Sequence, residues 1–115
     1  MLDVKKCIGS SYAMAKEDGI CLYETVLGEI QARGVATLDF QRIERATSLF
    51  FNESLCKIVG TYGLASYQKK IVVQNMSDTI KIIYLRALNL TIKKMEDPSI
   101  YNDALREGIK TDVTN

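Results

Sequence analysis

Short β-prone runs alternate with stretches whose apolar residues recur every three or four positions, and this alternation constrains the fold more than any other feature. Leu2, Val4, Lys6 and Ile8 alternate with Asp3, Lys5 and Cys7, which predicts a first strand ending near Gly9. Ser10 to Lys16 is mixed, and Ala13-Met14-Ala15 has helical character between Gly9 and Gly19. Ile20, Tyr23, Leu27 and Ile30 then place one apolar stripe on a helix over 20–33, which Gly34 stops. Val35 to Phe40 reads as a central strand covered on both faces, its only charge being Asp39 near the end. Gln41 to Ala46 is a polar connection containing Ile43, with Thr47 and Ser48 as candidate N-caps. Phe51, Leu55, Ile58 and Tyr62 predict a second helix over 49–62, stopped by Gly63. Lys69 to Gln74 has a β-branched centre and reads as a third strand. After the turn Asn75-Met76-Ser77, with Ser77 as N-cap, the row Ile80, Ile83, Tyr84, Leu88, Thr91 and Met95 traces a helix to about Glu96. Asp97-Pro98 restarts a helix with apolar residues Ile100, Tyr101, Ala104 and Leu105, ending at Gly108.

The order is strand, helix, strand, helix, strand, helix, helix. It predicts an α/β domain with a small, mostly parallel sheet packed by about four helices. A chain of 115 residues normally forms one core, so a single domain is expected over 1–110, with 111–115 as a frayed tail.

Several chemistries fall away on residue types alone. There is no His, which removes Ser-His-Asp and Cys-His catalysis and any His-ligated metal. Fifteen basic against fourteen acidic residues give a formal net charge of +1, so no polyanionic partner is demanded. Cys7, Cys21 and Cys56 form no C-x-x-C pair, and each has an apolar neighbour, so all three read as small buried hydrophobes. Free thiols suit a reducing cytoplasm. The first residues lack a signal-peptide core, and no apolar run approaches the roughly 20 residues of a spanning helix. The expectation is a cytoplasmic protein with no membrane, metal or cofactor.

The seven glycines form neither a dinucleotide fingerprint nor a phosphate-binding P-loop. Asp39, at the end of an apolar strand, reads first as a carboxylate bonding the following loop and second as a binding residue. An enzyme using Asp39 with Ser48 or Cys56 lacks an ordinary base for the nucleophile. The pairs Lys5-Lys6, Lys69-Lys70 and Lys93-Lys94, with scattered tyrosines, leave nucleic-acid association in a mobile element or defence locus as a minor alternative.

The most informative segment is 35–60, VATLDFQRIERATSLFFNESLCKIVG. A strand ends in Leu38-Asp39-Phe40, a short loop carries Ile43, and Ser48-Leu49-Phe50-Phe51-Asn52-Glu53 opens an apolar helix. This segment, with the Asp18-Gly19 step before the preceding helix, resembles the STAS domain of anti-sigma factor antagonists and sulphate-transporter tails. It is most similar to the small bacterial proteins described as STAS-like. The resemblance spans residues 2 to 90, and its specific part lies within 35–60.

The resemblance implies a βαβαβα fold, no enzymatic activity, and a regulatory role through protein–protein contact. In the antagonists a Ser at the start of the second helix is phosphorylated by a histidine-kinase-like ATPase, and the matching position here is Ser48. Two positions depart from that pattern: Leu49-Phe50 follow Ser48 where the antagonists continue with Gly, and no acidic residue precedes it. The expected partner surface is Asp39, Gln41, Arg42, Thr47, Ser48, Asn52 and Glu53. Such a phosphate would add about −1.5 to −2 charge to that patch. Oligomeric state stays open.

Overall fold

The computed structural model describes residues 1–96. Strand β1 (Leu2–Asp3) runs directly into helix α1 (Val4–Ile8), so the expected first strand is cut to its first two residues. The cause is local: the Asp3 carboxylate accepts from the Lys6 N–H at 3.4 Å and starts a helical turn, which Gly9 closes. The helical reading of Ala13-Met14-Ala15 also yields. Ala13 belongs to strand β2 (Tyr12–Ala13), and Ala15 stands just before helix α2 (Lys16–Arg33).

Helix α2 begins four residues before the expected start at Ile20, and Gly34 ends it as expected, at φ 83° with its N–H on the Ile30 carbonyl. Its buried face is Gly19, Leu22, Val26 and Ile30, with Tyr23 and Leu27 half-buried beside it. The stripe is rotated from the expected one because Gly19 sits directly under the next helical segment. A Cβ there would lie 2.6 Å from the Phe50 carbonyl oxygen and 2.7 Å from the Glu53 Cβ.

Strand β3 (Ala36–Asp39) is central, as expected, but only one of its faces is fully covered. Ala36 and Leu38 are buried while the polar Thr37 and Asp39 stay half-buried. A second short strand, β4 (Arg45–Ala46), follows and pairs in parallel with β2. The expected second helix is two: α3 (Ser48–Glu53) and α4 (Leu55–Tyr62). They meet at Ser54, which is fully buried, has φ −119° and ψ −95°, and donates its Oγ–H to the Phe50 carbonyl at 2.8 Å. A serine that bonds the preceding turn competes with continuation of the helical ladder.

Helix α5 (Leu64–Lys70) occupies a stretch the periodicity left unassigned and takes Lys69 and Lys70 from the expected third strand. Strand β5 (Ile71–Gln74) and helix α6 (Asp78–Glu96) follow the expected pattern, with Ser77 accepting from the Ile80 N–H at 3.3 Å. The helix expected from Asp97 to Gly108 and the tail 111–115 lie outside the described residues.

The main sheet has the order β1-β3-β5, all parallel, with Leu2 opposite Leu38 and Ala36 to Asp39 opposite Ile71 to Gln74. Its strand ends therefore come together on one side, at Asp3, Asp39 and Gln74. Leu22, Val26, Leu38, Phe40, Phe50, Phe51, Leu55, Ile58 and Ile80 fill the core. Phe51 is its hub, with ring centroids 6.1 Å from Phe40, 5.2 Å from Phe50 and 5.3 Å from Tyr84. Among the described residues no helix is long and apolar enough to cross a membrane.

Candidate functional site

The start of α3 is held by backbone and side-chain bonds to β2. The Glu44 N–H donates to the Ser11 carbonyl at 2.8 Å and the Thr47 N–H to the Ala13 carbonyl at 3.1 Å. The Thr47 hydroxyl works in both directions. It accepts from the Phe50 N–H at 3.2 Å as the N-cap and donates to the Met14 carbonyl at 2.9 Å. Thr47 therefore takes the capping duty, and Ser48 becomes the first helical residue. Its hydroxyl is exposed and makes no side-chain hydrogen bond among the described residues. Three exposed apolar side chains lie on adjoining backbone: Tyr12 and Met14 of the β2 segment, whose Met14 carbonyl accepts from Thr47, at 49% and 45% exposure, and Leu49, next in the chain, at 46%. Arg45, paired with Tyr12 across the short sheet, is also exposed.

Asp39, Gln41 and Arg42 form a second group at the strand ends. One Asp39 oxygen, Oδ1, accepts from the Asn75 side-chain amide at 3.0 Å and from the Gln41 N–H at 2.9 Å. The Asn75 amide first, and the Gln41 N–H second, hold the Asp39 carboxyl below its ordinary value. Arg42 reaches the Asp3 carboxylate at 3.1 Å and ties the end of β1 to the loop after β3. Asn75 itself has φ 60°, the one non-glycine positive value among the described residues. These bonds make Asp39 a clamp between the loops after β3 and β5. Asp3 and Asn75 escaped the sequence reading because the contacts join positions 36 and 39 residues apart.

Asn52 and Glu53 sit at the other end of α3. Glu53 pairs with Lys57 at 3.0 Å one turn away. Asn52 is exposed at the edge of a groove of about 680 Å³ between α2, α4 and the last turns of α6, lined by Tyr23, Cys56, Lys57, Leu90, Thr91 and Met95 among others. Lys57 lies 5.6 Å from the Tyr23 ring centroid, and the Tyr23 hydroxyl is 3.2 Å from that of Thr61. The seven residues singled out from the sequence thus divide among a helix start, a strand-end clamp and a groove rim. No hydrogen bond joins Asp39 to Ser48 or to Cys56.

The cysteines do not share one environment. Cys56 is buried, as expected, and burial pushes its thiol up. Cys21 is exposed and Cys7 half-buried, so the buried-hydrophobe reading fails for Cys21. Helix α2 turns Cys21 to the side of the Gly19–Leu22–Val26 face, where its neighbour is α1 rather than the core.

A parallel three-stranded sheet with an exposed, separately anchored helix start defines a small α/β domain of the sheet-and-helix kind. The family model described as the STAS-like domain of unknown function (DUF4325) matches residues 18–81, more than half of the chain. The chain belongs to this STAS-like family, and the match begins at the Asp18-Gly19 step and contains all of α3 and β5. No curated protein and no solved structure matches the chain.

Proposed function

We propose that the chain is a non-catalytic regulatory module that docks a protein partner through the loop after β3 and the start of α3. The observation that carries this reading is the division of labour between Thr47 and Ser48. Thr47 anchors and caps the helix, and Ser48 presents an exposed hydroxyl beside Leu49, on backbone tied to the segment that carries the exposed Tyr12 and Met14. Exposed aromatic and aliphatic residues beside polar ones are the composition of a docking patch. Tyr12 is fixed by strand pairing, Met14 by the Thr47 bond and Leu49 by its helix, so binding orders little chain.

Ser48 is the proposed phosphoacceptor. A phosphate brings about −1.5 to −2 charge, enough to reverse the sign of a chain whose formal net charge is +1. Because Ser48 carries no structural bond, the modification changes the face without removing a cap. A partner that binds only one of the two forms is then switched by its difference in affinity. The class of partner implied by the family resemblance is a histidine-kinase-like ATPase, which would supply the phosphoryl group.

The test is affinity purification of the full chain from its native host with mass spectrometry, reading both retained proteins and Ser48 modification. Ser48→Ala and Ser48→Asp are compared beside the unaltered protein. The proposal expects Ser48→Asp to release the partner and Ser48→Ala to retain it without modification. If both variants bind like the unaltered protein, the phosphorylation switch is wrong.

A further inference from the structure

Cys7 and Cys21 lie 14 residues apart in the chain but face each other across the contact between α1 and α2. The Cys21 thiol donates to the Cys7 carbonyl at 3.5 Å. The Cys7 thiol donates to the Thr25 hydroxyl at 3.4 Å, and that hydroxyl donates to the Cys21 carbonyl at 2.9 Å. The bonds form a closed circuit through both cysteines and bring the Cys21 sulfur onto the backbone of Cys7. Their exposures differ. Cys21 is open to solvent, Cys7 is half-buried, and the third cysteine, Cys56, is buried in a different part of the fold.

We infer that Cys7 and Cys21 form a dithiol modification site that reacts with low-molecular-weight disulfides and closes to an intramolecular disulfide. The accessible Cys21 thiolate attacks one sulfur of the small disulfide. A Cys21–sulfur bond forms, the small disulfide's own bond breaks, and one small thiolate leaves with the electron pair. The Cys7 thiol then loses its proton to solvent and attacks Cys21 Sγ, which releases the second small thiol. The two cysteines are oxidised together, and one small disulfide is reduced to two thiols. Burial pushes the Cys7 thiol up, against the lowering from the Thr25 bond, so Cys7 waits protonated until the mixed disulfide forms beside it. The linked form pins α1 to α2, and with it the segment that leads into β2.

Treatment of the reduced full chain with oxidised glutathione, followed by intact mass and peptide mapping, tests this. The expected product has lost two hydrogens, carries a Cys7–Cys21 peptide link, and leaves Cys56 alkylatable only after unfolding. Dithiothreitol restores the starting mass. In Cys7→Ser the glutathionyl group stays on Cys21, and in Cys21→Ser adduct formation slows at least about tenfold. Circular dichroism confirms that both variants are folded. A wild-type chain that stays fully reduced, stops at a stable Cys21 adduct, or links through Cys56 or between molecules overturns the assignment.

Discussion

Two junctions on the same side of the sheet carry the chain from a parallel strand into a helix, and they are built differently. After β5 the chain turns through Asn75 and Met76 and is capped by Ser77, whose hydroxyl, among the described residues, serves the helix it starts and no second segment. After β3 it takes a longer path, pairs Arg45–Ala46 with Tyr12–Ala13, and is capped by Thr47, whose hydroxyl also bonds the Met14 carbonyl. The short junction closes a fold. The long one ties a helix start to β2 and leaves Ser48 and Leu49 exposed on a fixed frame. Asp39 joins the two by accepting from Gln41 in one and Asn75 in the other.

The largest expected effect breaks the seat of the long junction. Gly19→Ala puts a Cβ 2.6 Å from the Phe50 carbonyl, and backbone cannot yield as a flexible side chain would. The expected cost is about 2 kcal/mol by urea denaturation, after roughly 1 kcal/mol of gained helix propensity. Gly28→Ala is the control. It meets nothing within 4 Å and should gain up to about 1 kcal/mol. Equal effects at the two glycines would remove the close-contact argument.

The caps sharpen the comparison next. Ser77→Ala should cost about 1 kcal/mol, the ordinary value for a lost cap. Thr47→Ala should cost about 2 kcal/mol, because it also orphans the Met14 carbonyl, and Thr47→Ser should recover most of it. Equal losses at Thr47 and Ser77 would mean that the tie to β2 contributes nothing. Ser48→Ala, by contrast, removes no bond and should change stability by no more than about 0.5 kcal/mol.

The smallest effect is acid sensitivity at the point where the junctions meet. Asn75 and Gln41 lower the Asp39 carboxyl from its ordinary 3.8, so the folded chain favours the carboxylate more than the unfolded one does. That contribution is fully present above 3.8 and is lost as pH falls through the lower folded value. Asn75→Ala should flatten the acid limb of a stability-versus-pH curve by lowering stability at neutral pH more than in acid. An unchanged acid limb would show that the clamp does not select the ionised form.

What the sequence made legible follows from period and length. Long stripes such as Ile80 to Thr91, and the β-branched centre of Ile71–Val73, reported their elements directly. Gly34, Gly63 and Ser77 marked boundaries that the structure keeps. β2 and β4 escaped because two residues carry no period, and their pairing joins Tyr12 to Arg45 across α2 and β3. The first strand was misjudged because Asp3 caps a helix that alternation alone could not reveal. The apolar patch beside Ser48 was half legible. Leu49 stood in the 35–60 segment, whereas Tyr12 and Met14 are tied to that segment only through the β2 pairing and the Thr47 bond.

The central claim is that the start of α3 is a docking face. The direct measurement is quantitative recovery of partner proteins from the native host on tagged wild type, Ser48→Asp and Leu49→Asp, with equal folding checked by circular dichroism. A partner should be retained by the wild type and lost from both variants. The same proteins recovered in the same amounts on all three would contradict it.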